Sequence, residues 1–122
     1  HKCAFCESKL RETKMGYEGY VHRFRPSSYS QGFETKDIAQ DHYWWLTYEW
    51  ENLYACCHSC SRFKSNMFPV DGERADLETP QDQIATKEKT FLIDPCLDDP
   101  SLYFEFKKSI IFKLLSHFKP KR

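Results

Sequence analysis

The chain lacks any apolar run that approaches the ~20 residues of a membrane-spanning helix. Its N-terminus also lacks the apolar core of a signal peptide. Neither an internal repeat nor a low-complexity segment is present in the 122 residues. These absences argue against an integral membrane protein and against a repeat array, so we expect a single domain with no membrane partner.

An excess of charge of one sign is also missing, because 18 Lys and Arg residues balance 18 Asp and Glu residues. Neutrality argues against a nucleic-acid-binding protein, but the charges are sorted along the chain. Residues 1–33 carry six basic and three acidic side chains, and residues 107–122 carry six basic side chains without an acid. Residues 75–106 carry eight acids and two lysines. This sorting is compatible with a basic face on a neutral protein, and equally with charges scattered over a solvated surface.

Cysteine, in contrast, is plentiful, with six in the chain. Four of them form two Cys-x-x-Cys pairs, Cys3 with Cys6 and Cys57 with Cys60. A tight turn at this spacing directs both sulfurs at one ion, so we predict a structural Zn²⁺ bound by all four residues, with a disulfide framework or a redox motif as the alternative. Zinc-bound thiolates favour a reducing compartment, and we expect the cytoplasm. Cys56 is predicted to be a buried free thiol, with zinc ligation as its alternative.

An aromatic block lies directly before the second cysteine pair. A short zinc-dependent domain has few other large apolar side chains for its interior, so we predict that Trp44, Trp45, Tyr48 and Trp50 form the core. Stacking on nucleic-acid bases is the alternative. The spacing over residues 43–48 fits a strand as well as a helix. The members of the block are Tyr43, Trp44, Trp45, Tyr48 and Trp50.

Signals for secondary structure are spread over the rest of the chain. We predict a strand over residues 17–21 that cannot extend past Pro26, and a helix that begins over residues 61–66, after the last zinc cysteine. A polar loop is predicted over residues 77–89 and a short apolar strand over residues 91–93. Apolar side chains recur every three or four positions over residues 106–118, which predicts an amphipathic helix.

Taken in order, four segments resemble the HNH endonuclease family: Cys-x-x-Cys-Glu-Ser, His-Arg-Phe-Arg-Pro, Tyr-Trp-Trp-Leu-x-Tyr-Glu-Trp-x-Asn-Leu and Cys-x-x-Cys-x-x-x-Lys. The group most similar is the four-Cys HNH proteins of bacterial anti-phage systems, of the Septu and retron-associated type, which work beside an SMC-like ATPase. The resemblance implies a small α+β fold, a zinc-stabilised ββα-metal (His-Me) finger with a C-terminal helical extension. Residues 1–70 would form the ββα core. Residues 71–122 would form an extension, with a short strand and the amphipathic helix, packed on that core.

The same resemblance implies a metal-dependent endonuclease that cleaves DNA phosphodiester bonds in the bacterial cytoplasm. In such a domain Mg²⁺ or Mn²⁺ polarises the phosphate, and a histidine at the end of the first strand activates water. By position in the motifs, His22 would be the catalytic histidine and a ligand of the divalent ion, and Asn52 would orient it. The residues expected to bind nucleic acid are Arg23, Arg25, Arg62 and Lys64.

The chain departs from the family pattern at two chemical positions. Relatives of this type read Glu-His-Phe-Arg-Pro, so without a gap His22 takes the metal-ligand position and Arg23 takes the position of the general base. A guanidinium, with a pKa above ~12, cannot act as that base. Ser61 stands where relatives carry Asn or His. His22 could serve as the base after a one-residue shift, or His42 or His58 could reach the site. The further alternative is a degenerate HNH domain that binds DNA or an ATPase partner without cutting.

Overall fold

The computed structural model describes residues 1–103 and shows a small α+β structure. The predicted helix over residues 106–118 lies outside the described residues. No helix of residues 1–103 is long and apolar enough to cross a membrane. The strands are β1 (Glu12–Thr13), β2 (Gly16–Tyr17), β3 (Tyr20–Arg23), β4 (Ser30–Gln31), β5 (Ile38–Ala39) and β6 (Leu53–Cys56). The helices are α1 (His58–Lys64) and α2 (Gln81–Lys87), and three short 3₁₀ turns span Trp44–Leu46, Trp50–Asn52 and Pro100–Leu102.

The central element is an antiparallel pair of strands followed directly by a helix. β3 pairs with β6 in a register that places His22 opposite Tyr54 and Arg23 opposite Leu53. The chain then passes through Cys57, whose sulfur accepts a hydrogen bond from the Cys60 amide at 3.5 Å, and enters α1. Since α1 packs against β3, the end of β3 and the first turns of α1 face each other.

The observed strand begins later than the strand predicted over residues 17–21. Gly16–Tyr17 instead pairs with Glu12–Thr13 in a separate two-stranded hairpin. Gly16 has a φ of 123°, which L side chains rarely adopt, and this conformation lets the chain turn back sharply after Thr13. β3 therefore starts at Tyr20 and carries His22 and Arg23 within the strand.

One apolar cluster joins the segments before and after residue 70. Phe24 and Phe68 meet edge to face with ring centroids 5.3 Å apart, and Tyr43 packs on Phe68 at 5.4 Å. The segment beyond residue 70 contributes three buried members to this cluster, so it shares one interior with the β3–β6–α1 unit. The buried members are Phe24, Tyr43, Leu46, Tyr54, Phe68, Ala75, Ile84 and Leu92.

The prediction that Trp44, Trp45, Tyr48 and Trp50 form the core is wrong for three of these four residues. Tyr43 is fully buried, and Trp45 packs partly on the cluster while its indole N–H donates to the Thr79 carbonyl at 2.8 Å. Trp44, Tyr48 and Trp50 are 53%, 88% and 81% exposed. The segment folds as two short 3₁₀ turns rather than a continuous strand or helix, so no single face of the block is turned inward.

Two predictions beyond residue 70 also differ from the structure. The stretch expected to be a polar loop contains α2, which follows Pro80 and places Ile84 in the core. Ile84 is the one buried residue of this helix, so the segment shows no helical periodicity of apolar residues and the sequence did not predict a helix there. Residues 91–93 form no continuous strand: Thr90 bridges to Val70, the Phe91 amide donates to the Pro69 carbonyl at 3.1 Å, and Leu92 makes only an isolated bridge.

A buried ion pair connects the end of β3 to the segment beyond α2. Arg25 Nε donates to Glu88 Oε1 at 2.9 Å, and both side chains are almost fully buried. Glu88 Oε2 also accepts from the Tyr43 hydroxyl at 2.8 Å and the Ala75 amide at 3.0 Å. Burial and the Glu88 charge raise the pKa of Tyr43, so its hydroxyl stays a donor. The prediction that Arg25 contacts a nucleic-acid phosphate does not fit its 5% exposure.

Candidate metal centre and nucleic-acid site

The two Cys-x-x-Cys pairs meet at the N-terminal end of α1. The four sulfurs lie within 4.8 Å of one another, and the Cys6 and Cys57 sulfurs are 3.8 Å apart. Four sulfurs at the usual Zn–S distance of about 2.3 Å form a tetrahedron with edges of about 3.8 Å. None of the six cysteines is in a disulfide. Cys3, Cys6, Cys57 and Cys60 therefore form a group that fits a structural zinc ion.

The electrostatics of the sulfurs also favour a bound cation. Burial raises the pKa of the Cys3 thiol, but hydrogen bonds from the backbone amides of Cys57, Cys6 and Phe5 bring it down to about 6. Burial and hydrogen bonds with Cys6 and Cys57 raise the pKa of Cys60. Four sulfurs this close cannot all ionise unless a cation offsets their mutual repulsion.

Cys56 lies beside this cluster but belongs to the interior. It is fully buried, and its sulfur donates to the Cys57 carbonyl at 3.3 Å. Burial and neighbouring cysteine sulfurs raise the pKa of its thiol to about 12. Cys56 is thus a buried, protonated thiol, as expected, and it is not a member of the four-sulfur group.

His22 lies on β3 opposite the first turns of α1. Its Nδ1 and the Ser61 hydroxyl are 3.2 Å apart, within hydrogen-bonding distance. Its Nε2 is buried and has no hydrogen-bond partner of normal geometry within residues 1–103. Burial and the Lys64 and Arg23 charges lower the pKa of His22 to about 4, and the nearby Ser65 backbone offsets only part of this shift. The imidazole is therefore neutral at pH 7.

A pocket of about 190 Å³ opens beside His22. Arg23 forms part of its wall, and the Arg23 Nε donates to the Thr47 carbonyl at 2.9 Å while the guanidinium lies 6.0 Å from the centre of the Tyr48 ring. No acidic side chain is among the pocket residues that the structure describes. The pocket is lined by Val21, His22, Arg23, Pro26, Ser27, Ser65 and Asn66.

Lys64 and Arg62, both on α1, lie in different surroundings. Lys64 Nζ donates to the Arg23 carbonyl at 3.1 Å and lies about 6 Å from the ring centres of Phe24 and Phe68. Burial lowers the pKa of Lys64 to about 7. Arg62 is exposed. Lys64 therefore ties α1 to the end of β3, and Arg62 is the more accessible of the two cations.

Asn52 is buried, and its side-chain amide forms hydrogen bonds with backbone groups. Its Oδ1 accepts from the Arg25 amide at 2.7 Å, and its Nδ2 donates to the Arg25 and Leu46 carbonyls at 2.9 and 3.0 Å. These bonds fix the chain just after β3 to the turn before β6. Asn52 thereby positions the strand that carries His22 without a recorded bond to the His22 ring.

The two alternative histidines do not join His22. His42 Nε2 bonds with the Ala75 carbonyl at 2.9 Å, and its ring packs on Tyr43 and Trp45. His58 is exposed and lies 3.2 Å from the Tyr20 hydroxyl. Within residues 1–103 neither ring bonds to His22 or Ser61, although His58 lies one turn before Ser61 on α1. Of the candidate side chains, the structure brings together His22, Ser61 and Arg23.

The residues around His22 do not fit a Mg²⁺ or Mn²⁺ ion. Both ions prefer several oxygen ligands, mainly carboxylates, and Mg²⁺ demands octahedral geometry. Within residues 1–103 the four cysteines are the only group of three or more His, Cys, Asp or Glu side chains close enough to bind one ion. His22 is accompanied by a hydroxyl and by cations, and these surroundings suit an anion better than a divalent cation.

Three features of the pocket and its surroundings were not predicted from the sequence. Ser65 and Asn66 line the pocket because Ser65 adopts a φ of 45° and turns the chain at the end of α1. The available signal was their position directly after Lys64. The proximity of Tyr48 to Arg23 had no sequence signal, since it depends on how the 3₁₀ turns pack against β3.

No protein-family model matches the chain, and no solved structure matches it. The chain is similar to two Septu proteins. Septu protein PtuA of Bacillus mycoides (strain KBAB4) is 35% identical over 108 residues, which are 88% of this chain and 14% of PtuA. Septu protein PtuB of the same strain is 34% identical over 113 residues, which are 92% of this chain and 37% of PtuB. The chain thus spans well under half the length of either relative.

Proposed function

We propose that this chain is an HNH-type domain of an anti-phage defence system, which binds nucleic-acid phosphate at the His22 pocket without metal-dependent cutting. The similarity to PtuA and PtuB supports the defence system, because the Septu name denotes such a system. We further propose that the domain works in the bacterial cytoplasm beside a second subunit of that system, an SMC-like ATPase.

The arrangement of β3, β6 and α1 supports the HNH-type frame. An antiparallel pair leads directly into a helix that packs on the first strand, as a ββα-metal finger requires. His22 on the strand meets Ser61 on the helix, at the two positions where relatives place metal ligands. Asn52 holds the intervening turn. The frame of the family is therefore compatible with this chain even though its chemical residues differ.

The observation that carries the proposal is the charge of the pocket. Arg23 lines it, and no described acidic residue contributes to its wall. A guanidinium at the rim of a small polar pocket suits a phosphodiester, which it can contact through two parallel hydrogen bonds. The same charges oppose the binding of a divalent cation at His22.

We expect Arg23→Gln to weaken DNA binding and to reduce its salt dependence. The glutamine amide can still donate to the Thr47 carbonyl, so the substitution removes mainly the charge. Loss of one phosphate contact should lower the slope of log affinity against log salt by about one. Fluorescence anisotropy with labelled DNA over a salt series measures both quantities.

Arg11→Gln is the matched control, because it removes the same charge from an exposed ion pair with Glu18 on the β1–β2 hairpin. It should leave the salt slope unchanged. Equal losses in both variants would mean that net charge, not the pocket, governs binding. Absence of DNA binding at low salt would refute the proposed function.

Metal-dependent DNA cleavage is the second candidate function, and one observation favours it. The His22 ring is neutral at pH 7, which is the form that binds a metal, and its buried Nε2 has no hydrogen-bond partner of normal geometry in the described chain. We rank this candidate second because no carboxylate of residues 1–103 lines the pocket.

We expect supercoiled plasmid to stay intact when incubated with the protein and Mg²⁺ or Mn²⁺, with and without a partner ATPase. Gel electrophoresis of the plasmid over time is the measurement. Nicking that is abolished by His22→Ala and retained in His42→Ala would establish the second candidate over the first. His42 is a suitable control, since its ring is held by the Ala75 carbonyl away from the pocket.

A further inference from the structure

Tyr48 and Trp50, two of the largest side chains in the molecule, are exposed to solvent. They are 88% and 81% exposed, and they lie two positions apart at the junction of the two 3₁₀ turns. Burial of an aromatic ring is strongly favourable, so exposed rings this close together mark a surface that another molecule covers. The apolar interior is completed by Phe24, Phe68 and Ile84 without them.

Arg23 connects this surface to the pocket. Its guanidinium lies 6.0 Å from the centre of the Tyr48 ring, its Nε is bonded to the Thr47 carbonyl, and the same side chain lines the pocket beside His22. A phosphate held at Arg23 would therefore leave the adjoining nucleotide within reach of an exposed ring. A cation beside the exposed Tyr48 ring, with the exposed Trp50 two positions further along the chain, is a combination that suits unpaired nucleotides.

We propose that Tyr48, Trp50 and Arg23 form a binding surface for single-stranded nucleic acid, with bases stacked on the rings and the backbone held at the pocket. This inference rests on the proposed function and specifies its ligand. Unpaired bases are favoured over a duplex because only an unpaired base exposes a face to a protein ring. The acids Glu49 and Glu51 flank Trp50, so they would repel phosphates there and direct the backbone towards Arg23.

The test compares Trp50→Ala with the wild-type chain for binding to labelled oligothymidylate and to a duplex of equal length, by fluorescence anisotropy. Loss of one stacked base should weaken single-strand binding roughly 5- to 150-fold. Duplex affinity should be unchanged, and Trp50→Phe should restore most of the single-strand affinity. Because Trp50 is exposed, the thermal midpoint and the zinc content should match those of the wild type.

Tyr17→Ala is the control, as it removes a partly exposed ring from the β1–β2 hairpin. It should leave both affinities unchanged. If Trp50→Ala leaves the affinities for the duplex and for the single strand unchanged from the wild type, the inference is overturned and the proposed function stands. Binding to neither probe would overturn both. Loss of a protein partner in Trp50→Ala, with nucleic-acid binding intact, would also overturn the inference and assign the rings to a protein interface.

Discussion

Removal of zinc from the four-cysteine cluster should unfold the β3–β6–α1 unit. The cluster connects the N-terminal turn at Cys3 and Cys6 to the start of α1 at Cys57 and Cys60, and strands of only two to four residues supply little structure of their own. Structural zinc contributes about 10–16 kcal/mol of apparent binding free energy at pH 7, which is comparable to the whole stability of a small domain. The apo chain is therefore expected to lose cooperative unfolding.

Elemental analysis should find about one zinc ion per chain in protein purified without chelator. Circular dichroism during thermal unfolding, before and after chelation, measures the loss. Cys57→Ser should reproduce the effect of chelation, and Cys96→Ser should have none, because Cys96 is exposed and outside the cluster. A chelated chain that melts at the same temperature as the holo chain would contradict the zinc assignment.

Glu88→Gln should cause a large loss of stability although it hardly changes the volume of the side chain. Glu88 is paired with Arg25 in the interior and accepts two further hydrogen bonds, from the Tyr43 hydroxyl and the Ala75 amide. Glutamine keeps the shape but leaves the Arg25 guanidinium buried without a counter-charge. Such an uncompensated charge costs about 3–5 kcal/mol, which should appear as a lower midpoint of urea unfolding.

The chain provides its own control in the ion pair between Arg11 and Glu18. Both of these side chains are largely exposed, at 76% and 54%. Exposed pairs contribute little because water screens them, so Glu18→Gln should leave the urea midpoint unchanged within error. Similar losses in both variants would show that the Arg25–Glu88 pair is as well solvated as the surface pair, contrary to its burial.

Local spacing made the metal centre predictable. Two residues between cysteines allow only a tight turn, so each pair directs its sulfurs at one ion whatever the surrounding fold. The meeting of the two pairs followed from the preference of zinc for four ligands. The contact of His22 with Ser61, 39 residues apart, was implied by the family motifs rather than by any local pattern.

The sequence failed where long-range packing decides the outcome. Arg25 and Arg23 look equivalent in the motif, yet one is buried against Glu88, 63 positions away, and the other lines the pocket. Trp50 was expected in the core because its side chain is large and apolar, but it lies in a short 3₁₀ turn and its side chain is exposed to solvent.

The sequence by itself thus predicted the group of four cysteines that could hold a metal ion and, through the family resemblance, the small α+β class and the order of the strand, turn and helix that carry His22, Asn52 and Ser61. The cysteine spacing depends on neighbours a few positions apart, whereas the fold class and the order of elements were implied by the family motifs. Only the tertiary structure decided which cation is accessible, which rings are exposed, and that no described carboxylate accompanies His22. Burial and charge environment depend on contacts between distant segments, and no periodicity in the chain encodes those contacts.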